Sequence, residues 1–258
     1  MNDLCIGGGG RDGFSFLGCL EYLDQKDLLD LKNFHGTSIG SLIGILYVLG
    51  TKPSQQLKYL LEMDMTSIVN YDFSNLTTDK KCILDDTLLN TLVNLIKEDD
   101  STTIADVTNK TGVNINIYTT NLTTNKYYCF SNINTPNVKI KEAIKASMSI
   151  PFLFQPVIIN GEKFVDGCCK NRYGLPFPDI TILGYTIMLE PKMNDNSSYE
   201  QIIMETLIKN YNPRSVFTIY CKGLNNVSTY LNLNFIEKSL MLDMYKHGIE
   251  MCRTQLDH

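Results

Sequence analysis

Short apolar runs alternate with helical periodicities along the 258 residues of the chain. Leu4-Cys5-Ile6 predicts a short buried strand that ends in four glycines, Gly7-Gly8-Gly9-Gly10. From Phe14 to Leu23, Phe16, Leu17, Leu20 and Leu23 recur on one side of a helix. Leu31–Phe34 predicts a second strand. Ile39–Leu49 predicts a helix so apolar that it must be buried all round. Gly50, with Pro53 beyond it, supplies the stop. Farther on, Leu57–Met63 and Leu84–Lys97 have amphipathic helical spacing, and Val113, Ile115 and Ile117 alternate with Asn as in a strand. Val138–Ser147 predicts a helix. Val157–Ile159 and Lys163–Val165 flank Asn160-Gly161, a strong hairpin signal. Thr181–Leu189 predicts a strand, and Glu200–Lys209 and Asn234–Arg253 predict helices. Tyr71–Lys81, Leu122–Lys126 and Asn194–Ser198 are polar and predict surface loops. Strand and helix alternate over the whole length. The expected fold is therefore α/β: one domain over residues 1–258, with a mainly parallel central sheet and helices on both faces.

Two strand-to-helix turns carry the candidate chemistry. Gly36-Thr37-Ser38-Ile39-Gly40 follows the second strand and opens the apolar helix. In such an elbow the serine takes a strained backbone conformation, and small flanking residues let strand and helix almost touch. Ser38 would then stand at a helix N-terminus, where free N–H groups favour negative charge. A plain tight connection, with Ser38 as a cap, is the other reading. Gly8-x-Gly10-x-x-Gly13 follows the first strand. A glycine run costs chain entropy, and close approach of backbone N–H groups to an anionic oxygen gives a reason for it. That oxygen belongs either to a dinucleotide pyrophosphate or to a tetrahedral intermediate. A dinucleotide fold wants an acid at the end of the second strand, and Phe34-His35-Gly36 offers none. No Gly-Lys-Ser/Thr follows the glycines, so a P-loop is excluded.

A nucleophilic serine needs a base. His35 lies three residues before Ser38, a poor position from which to reach it. His247 falls within the last helical pattern, and His258 is terminal. Asp166, in Phe164-Val165-Asp166-Gly167, stands just past an apolar strand and is the best acidic candidate. Asp-Gly is also a common turn pair.

Composition narrows the classes. Hydrophobic residues are 43% and charged residues 20%, ordinary globular values. The net charge of −5 argues against a nucleic-acid partner, which would call for a basic stripe. The longest apolar stretch, Leu42–Leu49, is far short of the ~20 residues that span a bilayer. The N-terminus has neither a basic region nor a long apolar core, so a signal peptide is not expected and a cytoplasmic setting is. The eight cysteines form no C-x-x-C pair and read as free thiols. With only three histidines, no metal site and no cofactor are expected.

Together these residues resemble the patatin-like phospholipase family. Leu4 to Leu23 matches its opening strand, glycine-rich loop and first helix, and His35 to Leu49 matches its serine elbow and buried helix. Ala146-Ser147-Met148-Ser149-Ile150-Pro151-Phe152 resembles the segment that precedes the family's aspartate. Asp166-Gly167 matches its Asp-Gly motif, and Asn171 an Asn often found a few residues later. The resemblance covers about residues 4–175 and is closest to the compact single-domain members of bacteria and large DNA viruses. It implies a three-layer sandwich and a phospholipase A-type acyl hydrolase, with Ser38 as nucleophile and Asp166 as base. It further implies an oxyanion hole from Gly8, Gly9, Gly10 and Ile39, supported by Gly13, Gly36, Gly40 and Gly167. A phospholipid or other lipid ester is the implied substrate, with transient contact at a membrane surface through loops bearing Phe152, Phe154 or Phe177. Two departures stand out. Asp12, after Arg11, holds the place of a usual basic residue, and Cys168 holds that of a Gly or Ala. A catalytically silent binding module and, less well supported, a dinucleotide-dependent oxidoreductase are the alternatives.

Overall fold

The computed structural model describes residues 1–171, 174–177, 179–189, 214–221 and 237–257. The fold is α/β, a mixed sheet with helices on both sides. The sheet of the described residues has eight strands: β1 (Asp3–Ile6), β2 (Asn33–Thr37), β3 (Asn114–Asn121), β4 (Lys126–Ser131), β5 (Val157–Ile159), β6 (Glu162–Asp166), β7 (Thr181–Leu189) and β8 (Arg214–Cys221). Its parallel part runs β3-β2-β1-β7-β8. β4, β5 and β6 join antiparallel at the β3 side.

β1 is buried along its whole length, and its residues alternate between two cores. Leu4 and Ile6 face the larger core with Phe16, Leu20, Phe34 and Ile45. Cys5 faces the other side with Leu175, Ile182 and Met188. Asp3 is buried too. Its carboxylate accepts hydrogen bonds from Asn33 Nδ2 and the Leu183 N–H, both at 2.7 Å, and so ties β1 to both neighbours.

The helices are α1 (Gly13–Gln25), α2 (Ile39–Val48), α3 (Pro53–Glu62), α4 (Met65–Ile68), α5 (Thr87–Val93), α6 (Ile104–Thr111), α7 (Ile140–Met148) and α8 (Lys238–Leu256). None among the described residues is long and apolar enough to cross a membrane. Several differ from the sequence expectation. The expected helix over 84–97 shrinks to α5, because Leu84 pairs with Tyr71 in a β-bridge and Asp85 Oδ1 takes the Thr87 N–H. The expected loop over 71–81 contains that bridge and a 3-10 turn, Phe73–Thr77. The second strand begins at Asn33 rather than Leu31 and runs directly into the serine turn. β4, β8 and α6 were not expected. The signal for α6 was its capping box, in which Thr103 and Asp106 bond each other's backbone N–H. Asn194–Ser198 and Glu200–Lys209 lie outside the described residues, as do residues 234–236 of the last predicted helix.

α8 packs along α1 with the two backbones in contact. A Cβ on Gly18 would lie 2.0 Å from the Tyr245 carbonyl oxygen, and one on Gly248 would lie 2.0 Å from that of Ser15. Neither backbone can yield without separating the helices. Gly248→Ala should therefore destabilise by about 1–3 kcal/mol, seen as a fall of about 3–10 °C in the thermal unfolding midpoint. An unchanged midpoint would show that the crossing has slack.

Candidate active site

Two strands deliver the candidate residues by running toward each other. Residues 116–121 of β3 pair with β4 along one edge. On the other edge, β3 pairs with β2 as far as Thr37↔Tyr118, and with β6 from Thr119↔Asp166 onward. β2 is parallel to β3 and β6 antiparallel, so their C-terminal ends meet on adjacent residues of β3. The next residue after β2 is Ser38, and the last residue of β6 is Asp166. Ser38 Oγ donates to Asp166 Oδ2 at 2.5 Å.

The elbow has the strain expected of its motif. Ser38 has φ +52°, a region most side chains avoid. Its carbonyl accepts the N–H and the hydroxyl of Ser41, at 2.9 and 2.6 Å, which fixes the first turn of α2. The flanking glycines are required by contact. A Cβ on Gly40 would lie 2.4 Å from the Ile6 and Gly7 carbonyl oxygens, and one on Gly36 would lie 2.6 Å from Ser41 Cα. Gly13 packs against Ile39 in the same way, and Gly167 against the Tyr118 carbonyl.

The glycine loop lies against this pair. A Cβ on Gly8 would be 3.4 Å from Ser38 Cβ. The Gly7 N–H continues the sheet by donating to the Ile187 carbonyl. The N–H groups of Gly8, Gly9 and Gly10 enter no backbone hydrogen bond among the described residues. Gly10, at φ +52°, turns the chain into α1.

Asp166 is 2% exposed. Burial pushes its carboxyl above the ordinary 3.8. Hydrogen bonds from the Ser38 hydroxyl and from the Cys168 N–H work against that rise. The Cys168 N–H donates to Oδ1 at 2.8 Å, so each carboxylate oxygen has its own donor. His35 is not part of this arrangement. It is buried beside Tyr118, with Nδ1 3.0 Å from the phenol oxygen, and burial brings its pKa down to about 4. His247 lies on α8, and His258 is outside the described residues. Asn171 is fully buried and donates from Nδ2 to the Leu175 carbonyl at 2.6 Å. Thr37 Oγ1 donates to the Gly174 carbonyl, so the chain after Asp166 is tied back to the end of β2. Arg11 and Asp12 are both buried. Of the three phenylalanines considered for surface contact, Phe154 is buried in the core. Phe177 packs edge-on against the Tyr118 and Tyr127 rings. Phe152 alone is open, at 72% exposure.

The family model for patatin-like phospholipase matches residues 4–176. The chain belongs to the patatin-like phospholipase family. Its relatives include the uncharacterized protein R571 of Acanthamoeba polyphaga mimivirus, 30% identical over 65% of this chain and 58% of that one. Another is the probable lipid hydrolase 463L of Invertebrate iridescent virus 6, 28% identical over 90% of this chain and 76% of that one. Among solved structures the chain is similar to VipD from Legionella pneumophila, with TM-score 0.48 and 16% identity over 99% of this chain and 66% of that one. It is also similar to the type III effector ExoU, with TM-score 0.49 and 12% identity over 99% and 52%. The chain thus spans little more than half the length of the mimivirus relative.

In this patatin-like framework one residue's part was not foreseen from sequence. Ser147, at the end of α7, accepts the Ser38 N–H at 2.8 Å and donates to the Tyr118 carbonyl at 2.6 Å. Two residues on, the Ser149 carbonyl accepts the Asp166 N–H at 2.9 Å. One short segment therefore fixes the backbones of both Ser38 and Asp166. The motif around Ser147 was visible, but a small polar residue at a helix end gives no sign of such distant partners. Ser147→Ala would leave a buried N–H and a buried carbonyl without this bridge. It should cost about 1–3 kcal/mol, read as a lower denaturant midpoint, and Ser147→Thr should recover part of it. Full stability in Ser147→Ala would mean that the bridge carries little.

Proposed function

We propose that the chain is a lipid acyl hydrolase, a phospholipase A-type esterase working through a Ser38–Asp166 dyad. The observation that carries this reading is the 2.5 Å hydrogen bond from a strained, elbow-borne serine to a buried carboxylate. Asp166 takes the Ser38 proton as Oγ attacks the ester carbonyl carbon, giving a tetrahedral oxyanion. The protonated Asp166 then returns the proton to the leaving alcohol, and an acyl-serine remains. A water molecule, deprotonated by the same carboxylate, attacks this ester, and collapse of the second tetrahedral species frees the acid and restores Ser38.

An ordinary aspartate is a weak base at neutral pH. Burial raises Asp166 and so strengthens it. The larger share of the rate then falls to oxyanion stabilisation, to which we assign the N–H groups of Gly8, Gly9, Gly10 and Ile39. The Ser38 N–H is already committed to Ser147 and does not contribute. Gly13, Gly36, Gly40 and Gly167 act by permitting the close approach.

The family and the relative named a probable lipid hydrolase support a lipid ester as substrate. Phe152 supports action at a lipid surface. It is an exposed aromatic at φ +67°, three residues beyond the Ser149 carbonyl that holds Asp166. The test is hydrolysis of a short p-nitrophenyl ester and of mixed phospholipid vesicles. Ser38→Ala should abolish both activities, and Asp166→Ala should lower both by about 10²- to 10⁴-fold. Phe152→Asp should lower vesicle hydrolysis more than ester hydrolysis. Activity surviving in folded Ser38→Ala would overturn the mechanism.

A further inference from the structure

Thr119 stands beside the candidate base. It is the residue of β3 that pairs with Asp166 of β6. The Asp166 N–H goes to the Ser149 carbonyl and not to β3, so this is a non-hydrogen-bonded pair, the kind whose side chains stand closest. Both side chains are on one face of the sheet, because Ile117 and Phe164, two residues before each, lie in the larger core. Thr119 is 0% exposed, and its Oγ1 makes no hydrogen bond among the described residues. The hydroxyls of the segment that holds Ser38 and Asp166 are committed, Ser147 to the Tyr118 carbonyl and Ser149 to the Lys145 carbonyl. A buried hydroxyl left unpaired costs stability and calls for a reason.

We propose that Thr119 is a positioning residue for deacylation: once Ser38 carries the acyl group, the Thr119 hydroxyl replaces it as a donor to Asp166 Oδ2. The inference rests on the Ser38–Asp166 reading above. In the resting protein Oδ1 is held by the Cys168 N–H and Oδ2 by the Ser38 hydroxyl. Acylation turns that hydroxyl into an ester, and Oδ2 loses its donor. Rotation about χ1, from one staggered well to another, carries the Thr119 hydroxyl toward Oδ2 across the closely spaced pair. A carboxylate oxygen accepts more than one bond, so Oδ2 still receives the proton of the attacking water. No proton leaves Thr119. The water oxygen bonds the acyl carbon, its proton passes to Asp166, and collapse of the tetrahedral species returns that proton to Ser38 Oγ as the acid departs.

The two states make opposite demands on this side chain. At rest the hydroxyl is buried without a partner, and an isosteric methyl would suit the site as well or better. In the acyl-enzyme the hydroxyl is needed. A side chain that only filled space would affect both steps of the reaction alike.

The experiment compares wild type, Thr119→Val and Thr119→Ser on a short p-nitrophenyl ester. Stopped-flow release of p-nitrophenol with enzyme in excess gives acylation. Quenched intact-protein mass spectrometry follows loss of the acyl group, and thermal unfolding gives stability. Thr119→Val should lose its acyl group about ten- to a hundredfold more slowly, while acylation changes by no more than about twofold. It should unfold at the wild-type temperature or above. Thr119→Ser, which keeps the hydroxyl, should deacylate at close to the wild-type rate. Thr119→Val that deacylates as fast as wild type, or that slows both steps equally, would overturn the proposal. So would Thr119→Val that unfolds at a lower temperature or does not fold, because the hydroxyl would then already be bonded at rest. If hydrolysis survives in folded Ser38→Ala, the dyad reading fails. If it is lost there and Thr119→Val deacylates normally, only the part assigned to Thr119 fails.

Discussion

The site depends on a single edge of β3. That edge is shared end to end by two strands of opposite direction, with Tyr118 pairing Thr37 and Thr119 pairing Asp166. Successive residues on one strand are about 3.3 Å apart, so the C-terminal ends of β2 and β6 can meet only within a few ångströms. The Ser38–Asp166 hydrogen bond follows from this register. A one-residue slip of β6 on β3 would turn the Asp166 side chain to the other face of the sheet. The register is held by more than the ladder, because Ser147 and Ser149 at the end of α7 bind the Ser38 and Asp166 backbones respectively.

Close packing and electrostatics act in opposite senses on the carboxylate. Glycines at 8, 36, 40 and 167 allow loop, elbow and turn to crowd together and exclude water. Exclusion of water raises the Asp166 pKa, and its donors return part of the shift. Full desolvation would leave a neutral acid, unable to take a proton. Full solvation would leave a carboxylate near 3.8, too weak a base. The proposed mechanism calls for a carboxyl between these limits, and burial and its donors act on Asp166 in opposite directions.

How much of this was legible in the sequence follows from the range of the forces involved. β1, α1 and α2 could be read because apolar periodicity and glycine stops are local signals. The Asn160-Gly161 hairpin could be read because its turn needs positive φ at both residues, +52° and +81° here. Ser38 and Asp166 could be named as candidates from their flanking glycines. Their pairing came only as an implication of the family resemblance and not from local pattern, because nothing near Asp166 says that β6 runs antiparallel along the edge β2 vacates. The part played by Ser147 was hidden for the same reason, its partners being 109 and 29 residues away. The expected helix over 84–97 failed where a tertiary bridge from Tyr71 to Leu84 overrode local periodicity. Membership of the patatin-like family was legible because three separated motifs occurred together in one order.

The central claim is that the meeting of β2 and β6 makes Ser38 a nucleophile activated by Asp166. Its most direct test is covalent labelling with a fluorophosphonate, located by peptide mass spectrometry and timed in wild type and Asp166→Asn. The account predicts rapid, stoichiometric label on Ser38 alone, with labelling in Asp166→Asn slower by about a hundredfold or more. An unlabelled Ser38, or equal rates in the two proteins, would contradict it.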